Sequence, residues 1–348
     1  MPGVRRRGEK IRDFILRNIT ENKNIAAMTA RKFNISMQAV YKHIDRLASN
    51  NLITKKSGNF IVQSRRHAYI YRNSGALSED TVWETDIKKH FAGFPDNVRR
   101  MWTYGFLEIF NNAIEHSQGE EIRVIIDENS IFNTLIIADN GIGIFKNIKI
   151  KLKLSEEKDA LLELTKGKRT TDKTRHSGQG IFFVSKIFDD FMIASGGIIF
   201  NSSQPKNKPE GNPDAIGSRR EDPVKIGRTK FSTLVRMRLV NDSKKHIKTI
   251  FDAFSTEIPG DFDKTVVPVH MAGSDDLISR SQARRVLSGL ELFKEVILDF
   301  KDVTYIGQAF ADEIFRVFPN MNPNTSITAR NTNTEIQNMI NRAINTKL

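Results

Sequence analysis

Three short motifs within residues 106–183 constrain the fold of this 348-residue chain more than any other feature. The first places Glu108 and Asn112 in a segment whose apolar residues have helical spacing. The second motif, residues 139–143, follows an apolar segment, and the third, residues 178–180, precedes another helical pattern. The surrounding chain must therefore supply helices and a buried strand that end at polar or glycine-containing turns.

Glu108 and Asn112 are predicted to lie one turn apart on the same face of a helix that covers residues 97–116. Side chains at positions i and i+4 are neighbours on a helix surface. A carboxylate and a carboxamide placed in this way can reach the same ligand. The alternative interpretation is a solvated polar pair, which is the common case for an isolated instance.

The two glycine-containing motifs suit a bound base and a bound phosphate. A strand predicted at residues 132–138 delivers Asp139 to a loop whose two glycines permit tight turns. Gly178 and Gly180 stand before a helix, where free amides and the helix dipole attract phosphate. Each motif alone is commonly an ordinary turn or helix start. Together, in this order, they predict one nucleotide site.

The conjunction of the three motifs resembles the GHKL ATPase superfamily, which includes gyrase B subunits, MutL-type repair ATPases, histidine kinases and anti-sigma serine kinases. The resemblance covers about residues 97–239 of this chain. It implies an α/β sandwich that binds ATP together with Mg²⁺.

The resemblance also implies roles for individual residues. Asn112 matches the magnesium-ligating asparagine, Glu108 the general base of the hydrolysing members, and Asp139 the aspartate that bonds the adenine amino group. Four cations lie in the implied phosphate lid, and no fixed motif selects among them. The other implied nucleotide contacts are Gly141 and Gly143 at the base, Gly178 and Gly180 at the lid, Thr229 before the penultimate strand, and the lid cations Lys168, Arg169, Lys173 and Arg175.

This set of residues suits phosphoryl chemistry, because magnesium and cationic groups neutralise the triphosphate while a carboxylate orients the attacking oxygen. Hydrolysis and transfer to a hydroxyl both remain open. Histidine kinases usually have asparagine where Glu108 stands, and they need a phosphoacceptor histidine upstream. The upstream candidate, His90, lacks the acidic residue that usually follows such a histidine, so the sensor-kinase alternative is disfavoured.

The excess positive charge of the chain is concentrated near its start. The net charge is +13, and residues 1–67 hold 15 Lys and Arg against 4 Asp and Glu. The remainder holds 39 Lys and Arg against 37 Asp and Glu. This asymmetry suggests a polyanion-binding module attached to near-neutral domains, the alternative being a merely soluble basic face.

The basic segment has the pattern of three helices within residues 8–50, the third capped by Ser36, followed by two strands within residues 52–62. This pattern resembles the winged helix-turn-helix domains of bacterial regulators. In that family the third helix enters the major groove of DNA and the wing contacts the backbone. A protein-contacting winged helix is the alternative. The implied DNA-contacting residues are Ser36, Gln38, Tyr41, Lys42, Lys55 and Lys56.

Two further segments lie between the recognisable patterns. Residues 64–80 are a polar stretch with no predicted element, and residues 84–94 are predicted to form an amphipathic helix that Pro95 ends. An insert at about residues 201–225, rich in Pro, Gly, Asn and Lys, is predicted to be a mobile loop between the last strands of the ATP-binding domain.

The last part of the chain alternates strand and helix patterns, which predicts a small parallel or mixed sheet covered by helices. Residues 296–315 resemble a STAS-like domain, similar to anti-sigma antagonists. In those antagonists a serine in the turn after the strand is phosphorylated by a GHKL kinase. The corresponding turn here, residues 306–310, has Ala309 and no hydroxyl. The resemblance therefore implies docking or signal coupling, and a structural α/β cap is the alternative.

The chain is thus predicted to be an α/β multidomain protein. A winged helix-turn-helix DNA-binding domain is expected at residues 1–67, a GHKL ATP-binding domain at 68–242, and a STAS-like α/β domain at 255–348. The absence of cysteine excludes disulfides, thiolate zinc sites and cysteine nucleophiles. No apolar run reaches the ~18 residues that span a bilayer, and no signal-peptide segment follows Arg5–Arg7. We therefore expect a cytoplasmic protein without membrane contact.

The expected function is an ATP-dependent regulator. Binding of Mg-ATP and slow hydrolysis by the GHKL domain would modulate DNA binding by the winged helix and coupling of the STAS-like domain to a protein partner. The alternative is a serine/threonine protein kinase that acts on a separate protein. A homodimer is expected because related ATPases often dimerise and winged-helix proteins often read paired half-sites.

Overall fold

The computed structural model describes residues 2–19, 24–56, 59–167, 179–203, 231–272 and 277–345. Its strands form three separate sheets of two, six and three strands, each accompanied by helices. The protein is therefore of mixed α/β architecture, as expected. Within the described residues, no helix is both long enough and apolar enough to cross a membrane.

The first sheet follows three helices, α1 (Pro2–Asn18), α2 (Ile25–Phe33) and α3 (Met37–Ser49). The Ser36 hydroxyl accepts a hydrogen bond from the Ala39 N–H at 3.2 Å, which is the predicted N-cap. The strands β1 (Ile53–Lys56) and β2 (Asn59–Val62) form an antiparallel hairpin. The predicted helices and strands of this segment are confirmed. Its buried core consists of Ile11, Ile15, Leu16, Ile19, Ile25, Ala26, Val40, Ile44, Leu47, Ile53 and Ile131.

The second sheet has six strands in the order β3-β4-β5-β8-β6-β7, and every neighbouring pair is antiparallel. The strand β5 confirms the one predicted at residues 132–138, before Asp139. The ranges are β3 Ser64–Arg72, β4 Glu121–Asn129, β5 Phe132–Asp139, β6 Asp190–Ser195, β7 Ile198–Ser203 and β8 Thr233–Val240.

The edge strand β3 corrects the expectation that residues 64–80 contain no element. Its nine residues pair with β4 from Ser64 opposite Asn129 to Arg72 opposite Glu121. From His67 to Tyr71 every second residue is half-buried, including Tyr69 and Tyr71, while Ala68 and Ile70 between them are exposed. Arginines near both ends lower the mean hydropathy of the segment, and the apolar residues at the exposed positions hide the alternation that is typical of a strand.

Helices cover one face of this sheet. A helical segment runs through α4 (Glu79–Val82), Trp83–Ile87 and Lys88–Phe91, and α5 (Asp96–His116) follows it. Gly105 lets α5 approach its neighbour closely, because a Cβ there would lie 2.4 Å from the Phe188 ring. Three further helices are α6 (Ile144–Leu152), α7 (Asp159–Lys166) and α8 (Gly180–Ile187).

The third sheet is parallel and has the order β11-β10-β9, in agreement with the predicted strand–helix alternation. A short helix, α9 (Ile247–Asp252), connects the second sheet to the third. The strands are β9 Lys264–Pro268, β10 Glu295–Asp299 and β11 Ser326–Arg330. The helices are α10 Arg280–Leu287, α11 Gln308–Asp312 (continued by Glu313–Val317), α12 Phe318–Met321 and α13 Thr334–Asn345.

Candidate functional site

Asp139 is the last residue of β5 and lies between the neighbouring strands β4 and β8, opposite Ile122 and Thr233. Its side chain is buried and accepts hydrogen bonds from the Gly141 N–H, at 3.0 Å, and from the Thr233 side chain. Burial raises the pKa of the Asp139 carboxyl to about 6, against the opposing effect of these two hydrogen bonds. The carboxyl is therefore held in a defined orientation in a weakly solvated environment.

The glycines after Asp139 are required by close backbone contacts. A Cβ at Gly141 would lie 1.9 Å from the Ser117 carbonyl oxygen, so this part of the loop touches the C-terminal end of α5. Gly143 has a φ of +89°, and a Cβ there would meet the Ser195 hydroxyl at 2.8 Å. Any side chain at either position would displace the loop that starts at Asp139.

Polar side chains fasten the same loop to the surrounding elements. The Asn140 side-chain oxygen accepts from the N–H groups of Glu120 and Glu121, each at 3.0 Å. The Asn147 amide donates to the His116 carbonyl at 2.8 Å, which joins α6 to the end of α5. The Ile142 N–H donates to the Ser117 carbonyl at 2.8 Å. The loop is therefore ordered by contacts from three directions.

Thr233 is a site residue that the sequence did not reveal. Its hydroxyl accepts from the Ile144 N–H at 3.1 Å while its side chain also hydrogen-bonds to Asp139. One hydroxyl thus joins the end of β5, the start of β8 and the start of α6. Its only local signal is its place as the first residue of an apolar strand pattern. The threonine predicted at this strand, Thr229, lies outside the described residues.

Glu108 lies in the middle of α5, where its carboxylate faces the first residue of α8. A Cβ at Gly180 would be 2.0 Å from Glu108 Oε2. Tyr104, one turn earlier, hydrogen-bonds to Glu108. Asn112 follows one turn later on the same helix and is half-buried. The structure therefore places Glu108 beside Gly180, with Asn112 one turn further along the same helix.

The loop after Asp139 and the region around Glu108 contact α5 at different positions along the helix axis. Ser117, which touches the loop, is nine residues after Glu108, or about 14 Å along a helix. An elongated ligand beside this helix would meet the two groups with its opposite ends. Four predicted nucleotide contacts, Lys168, Arg169, Gly178 and Thr229, lie outside the described residues, as do Lys173, Arg175 and nearly all of the 201–225 insert.

Five of the predicted DNA-contacting side chains are exposed, four of them in α3 or at its N-cap and one in β1. Val40 and Ile44 face the core, and the opposite face of α3 presents Tyr41, which is 50% exposed. Lys55 is exposed in β1, and Lys56 follows it in the same strand. The remaining exposed members of the predicted surface are Ser36, Gln38 and Lys42.

His90 has a buried position that argues against a phosphoacceptor role. Its side chain is 7% exposed. Its Nε2 is 2.7 Å from the Tyr69 hydroxyl, and its Nδ1 is 2.5 Å from Glu128 Oε1. Both ring nitrogens are thus engaged in hydrogen bonds within the fold, and a phosphoryl group cannot approach either one in this arrangement.

Comparison with known protein families gives a match in the C-terminal part of the chain. Residues 282–337 match a family described as a STAS-like domain of unknown function (DUF4325). The match begins in α10, includes β10 and β11, and ends in α13. No curated protein matches the chain. The match supports the STAS-like domain that was expected in this part of the sequence.

Proposed function

We propose that residues 68–242 form a GHKL-type domain whose binding and slow hydrolysis of Mg-ATP modulates the other two parts of the chain. The observation that carries the proposal is the position of Asp139. It is a buried carboxyl at a strand end, oriented by Gly141 and Thr233 and followed by a loop that accepts no side chain at residue 141. A carboxylate has about four acceptor sites, so these two bonds leave capacity for the amino group of adenine.

The region around Glu108 would bind the phosphates. Asn112 offers one side-chain oxygen, which suits Mg²⁺ because this ion usually keeps several waters and takes other ligands from the nucleotide phosphates. Glu108 would orient the attacking water, and the N-terminal end of α8 at Gly180 would supply backbone N–H groups. The magnesium ion would neutralise charge on the triphosphate.

Coupling to the STAS-like domain is supported by direct contacts of α7. Lys166, at the end of α7, is 1% exposed, and its Nζ donates to Glu163 Oε1 at 2.8 Å. The same Nζ donates to the backbone carbonyls of Arg285, at 2.8 Å, and Ser288, at 3.0 Å. A buried ammonium is costly unless it is well hydrogen-bonded, so the end of α7 is tied to the end of α10.

Helix α8 makes a second connection to the same domain. Phe182 and Phe183 follow Gly180 by two and three residues and pack against Phe262, with ring centroids 4.8 and 4.9 Å apart. These residues share a buried core with Val296 of β10. A change in the position of α8 on nucleotide binding would therefore alter the packing of the STAS-like domain.

Coupling to the basic N-terminal segment is supported by contacts with the turn between β4 and β5 and with the residues that follow β8. Ile131, in the turn between β4 and β5, is buried in the core of the three N-terminal helices. Arg17 of α1 also pairs with Asp242, just after β8, at 3.0 Å. In our proposal this basic segment binds DNA through α3 and the hairpin, and the homodimer expected above stays a prediction.

The proposal is tested by measuring ATP binding, ATP turnover and DNA affinity on the full chain and two variants. Asp139→Asn is expected to lose nucleotide binding, whereas Glu108→Ala is expected to bind ATP and lose turnover. The exposed variant Glu84→Gln is the control. Unchanged ATP binding by Asp139→Asn would overturn the assignment, and a DNA affinity that is the same with and without ATP would overturn the coupling.

A protein-kinase reaction is the second candidate, and the same assay separates it from hydrolysis. The turn at residues 306–310 carries no hydroxyl, so this alternative places the phosphorylated serine or threonine on a separate protein. Label from γ-labelled ATP would then appear on that protein. Label recovered as free phosphate supports the ATPase.

A further inference from the structure

We propose that His67, His90 and Glu128 form a binding site for a divalent transition-metal ion, with zinc as the best match. Each residue offers one ligand atom, and these atoms all lie within 4.8 Å of one another. The site lies at the edge of the six-stranded sheet and shares no residue with the proposed nucleotide site.

The pairing of strands places the three side chains together. Glu128 of β4 is opposite Arg65 of β3, two residues before His67. Residues at positions i and i+2 of a strand, and those directly opposite them, project from the same face of a sheet. Glu128 and His67 are therefore diagonal neighbours. His90 reaches them from the helical turn Lys88–Phe91, which covers that face.

The two distances from Glu128 to the histidines lie on either side of the ligand-to-ligand distance expected at a metal site. Glu128 Oε1 is 2.5 Å from His90 Nδ1 and 3.8 Å from His67 Nε2. Zinc bonds of about 2.0–2.1 Å in tetrahedral geometry separate neighbouring ligand atoms by about 3.3 Å. Small rotations of the side chains would convert the present arrangement into a coordinating one.

Tyr69 contacts the ring nitrogen of His90 that would not bind the metal ion, and a metal-bound histidine needs such a partner. Its hydroxyl lies 2.7 Å from His90 Nε2. When a metal ion is bound, a hydrogen bond donated by Nε2 to this hydroxyl would leave the Nδ1 lone pair for the ion. Without the ion, Nδ1 and Glu128 Oε1 share a hydrogen bond at 2.5 Å. The ion would replace the proton of that hydrogen bond.

The types of ligand indicate the class of metal. Two imidazoles and one carboxylate suit zinc and similar transition ions, whereas magnesium and calcium prefer sets made of oxygen. Three protein ligands leave a fourth position for water. The side chains of His67 and Glu128 are 38% and 25% exposed, so an ion can enter from solvent. A bound ion would cross-link β3, β4 and the helical turn.

The test is zinc binding to the full, tag-free chain without nucleotide and with excess magnesium. Isothermal titration and equilibrium dialysis with zinc are expected to give one bound ion per chain. His67→Ala and Glu128→Gln are expected to weaken zinc binding at least about tenfold. His246→Ala, an exposed histidine at the start of α9, should bind zinc as the wild type does.

Cobalt provides a readout that does not depend on the stability of any variant. Cobalt-loaded wild type should show the visible absorption of a four-coordinate ion, and added zinc should abolish it. Absence of stoichiometric zinc binding, or an affinity that His67→Ala leaves unchanged, would overturn the proposal. An octahedral cobalt spectrum in the wild type would also overturn it.

Discussion

The Glu108 carboxylate and Gly180 are in such close contact that no other residue fits at position 180 without moving Glu108: a Cβ there would lie 2.0 Å from Oε2. Helices α5 and α8 thus meet at the residue proposed to orient the attacking water. The first prediction concerns Gly180→Ala. The flexible end of Glu108 can swing away, so the fold should survive while the carboxylate loses its position.

For Gly180→Ala we therefore expect at least a tenfold loss of ATP turnover with a change in unfolding free energy below about 1 kcal/mol. Steady-state phosphate release and urea unfolding measure the two quantities. Gly93→Ala is the matched control, because no atom lies within 4 Å of a Cβ at that position. Normal turnover by Gly180→Ala would show that the position of Glu108 does not matter for the reaction.

Gly141→Ala should behave differently, because its obstacle is backbone. The new Cβ would lie 1.9 Å from the Ser117 carbonyl oxygen, and neither the loop nor the end of α5 can yield cheaply. We expect a loss of about 1–3 kcal/mol in unfolding free energy together with loss of ATP binding, measured by urea unfolding and calorimetry. Gly75→Ala, in open space, is the control. A variant with both properties intact would contradict the loop geometry.

Asp139 should leave a signature in the pH dependence of stability. Its pKa is raised from 3.8 to about 6, so the folded state binds more protons than the unfolded state between these values. The contribution of this residue to stability is therefore greatest below pH 3.8 and falls as the pH rises through 6. Asp139→Asn removes this dependence. The variant should be more stable than the wild type at pH 7, by about 3 kcal/mol at most.

Urea unfolding of the wild type and Asp139→Asn between pH 4 and 7.5 checks this prediction. The difference between the two curves isolates Asp139 from the other titrating groups. A difference that does not change with pH would mean that the carboxyl titrates normally. Greater stability combined with lost ATP binding would identify Asp139 as a residue that is retained for function at a cost to the fold.

Lys166 should be important for the stability of the α7–α10 contact. Lys166→Met removes a buried cation from Glu163, and the expected loss is about 3–5 kcal/mol. The double variant Lys166→Met with Glu163→Gln should be less destabilised than the sum of the single variants. Lys158→Met breaks the fully exposed pair with Glu156 and serves as the control. Equal effects of Lys166→Met and the control would contradict the buried geometry.

The last prediction concerns DNA binding by the exposed lysines of the N-terminal segment. Charge reversal at Lys42 and Lys55 should weaken DNA binding and flatten its dependence on salt, because fewer phosphate counterions are released. Fluorescence anisotropy at several salt concentrations measures both effects. Lys301→Glu, at an exposed lysine after β10, is the control. A salt slope that is unchanged by the N-terminal reversals would remove DNA as the partner.

Much of the secondary structure could be predicted because its signals are local. Ser36 caps α3 through its own hydroxyl, and the apolar spacing of Val40 and Ile44 identifies the buried face of that helix. The parallel C-terminal sheet follows from alternating strand and helix patterns. The strand β3 was missed because arginines flank it and its exposed positions hold Ala68 and Ile70, so the sequence shows no polar–apolar alternation. Only pairing with β4 shows where it belongs.

The sequence by itself determined the order of the motifs, the concentration of charge near the start of the chain, and the positions of most helices. Only the tertiary structure decided that Thr233 bonds Asp139 and that Lys166 is buried against Arg285, 119 positions away. Hydrogen bonds between such distant residues leave no periodic pattern in the sequence. They depend on strand order and helix packing, so the partners of the site become visible only when the chain is folded.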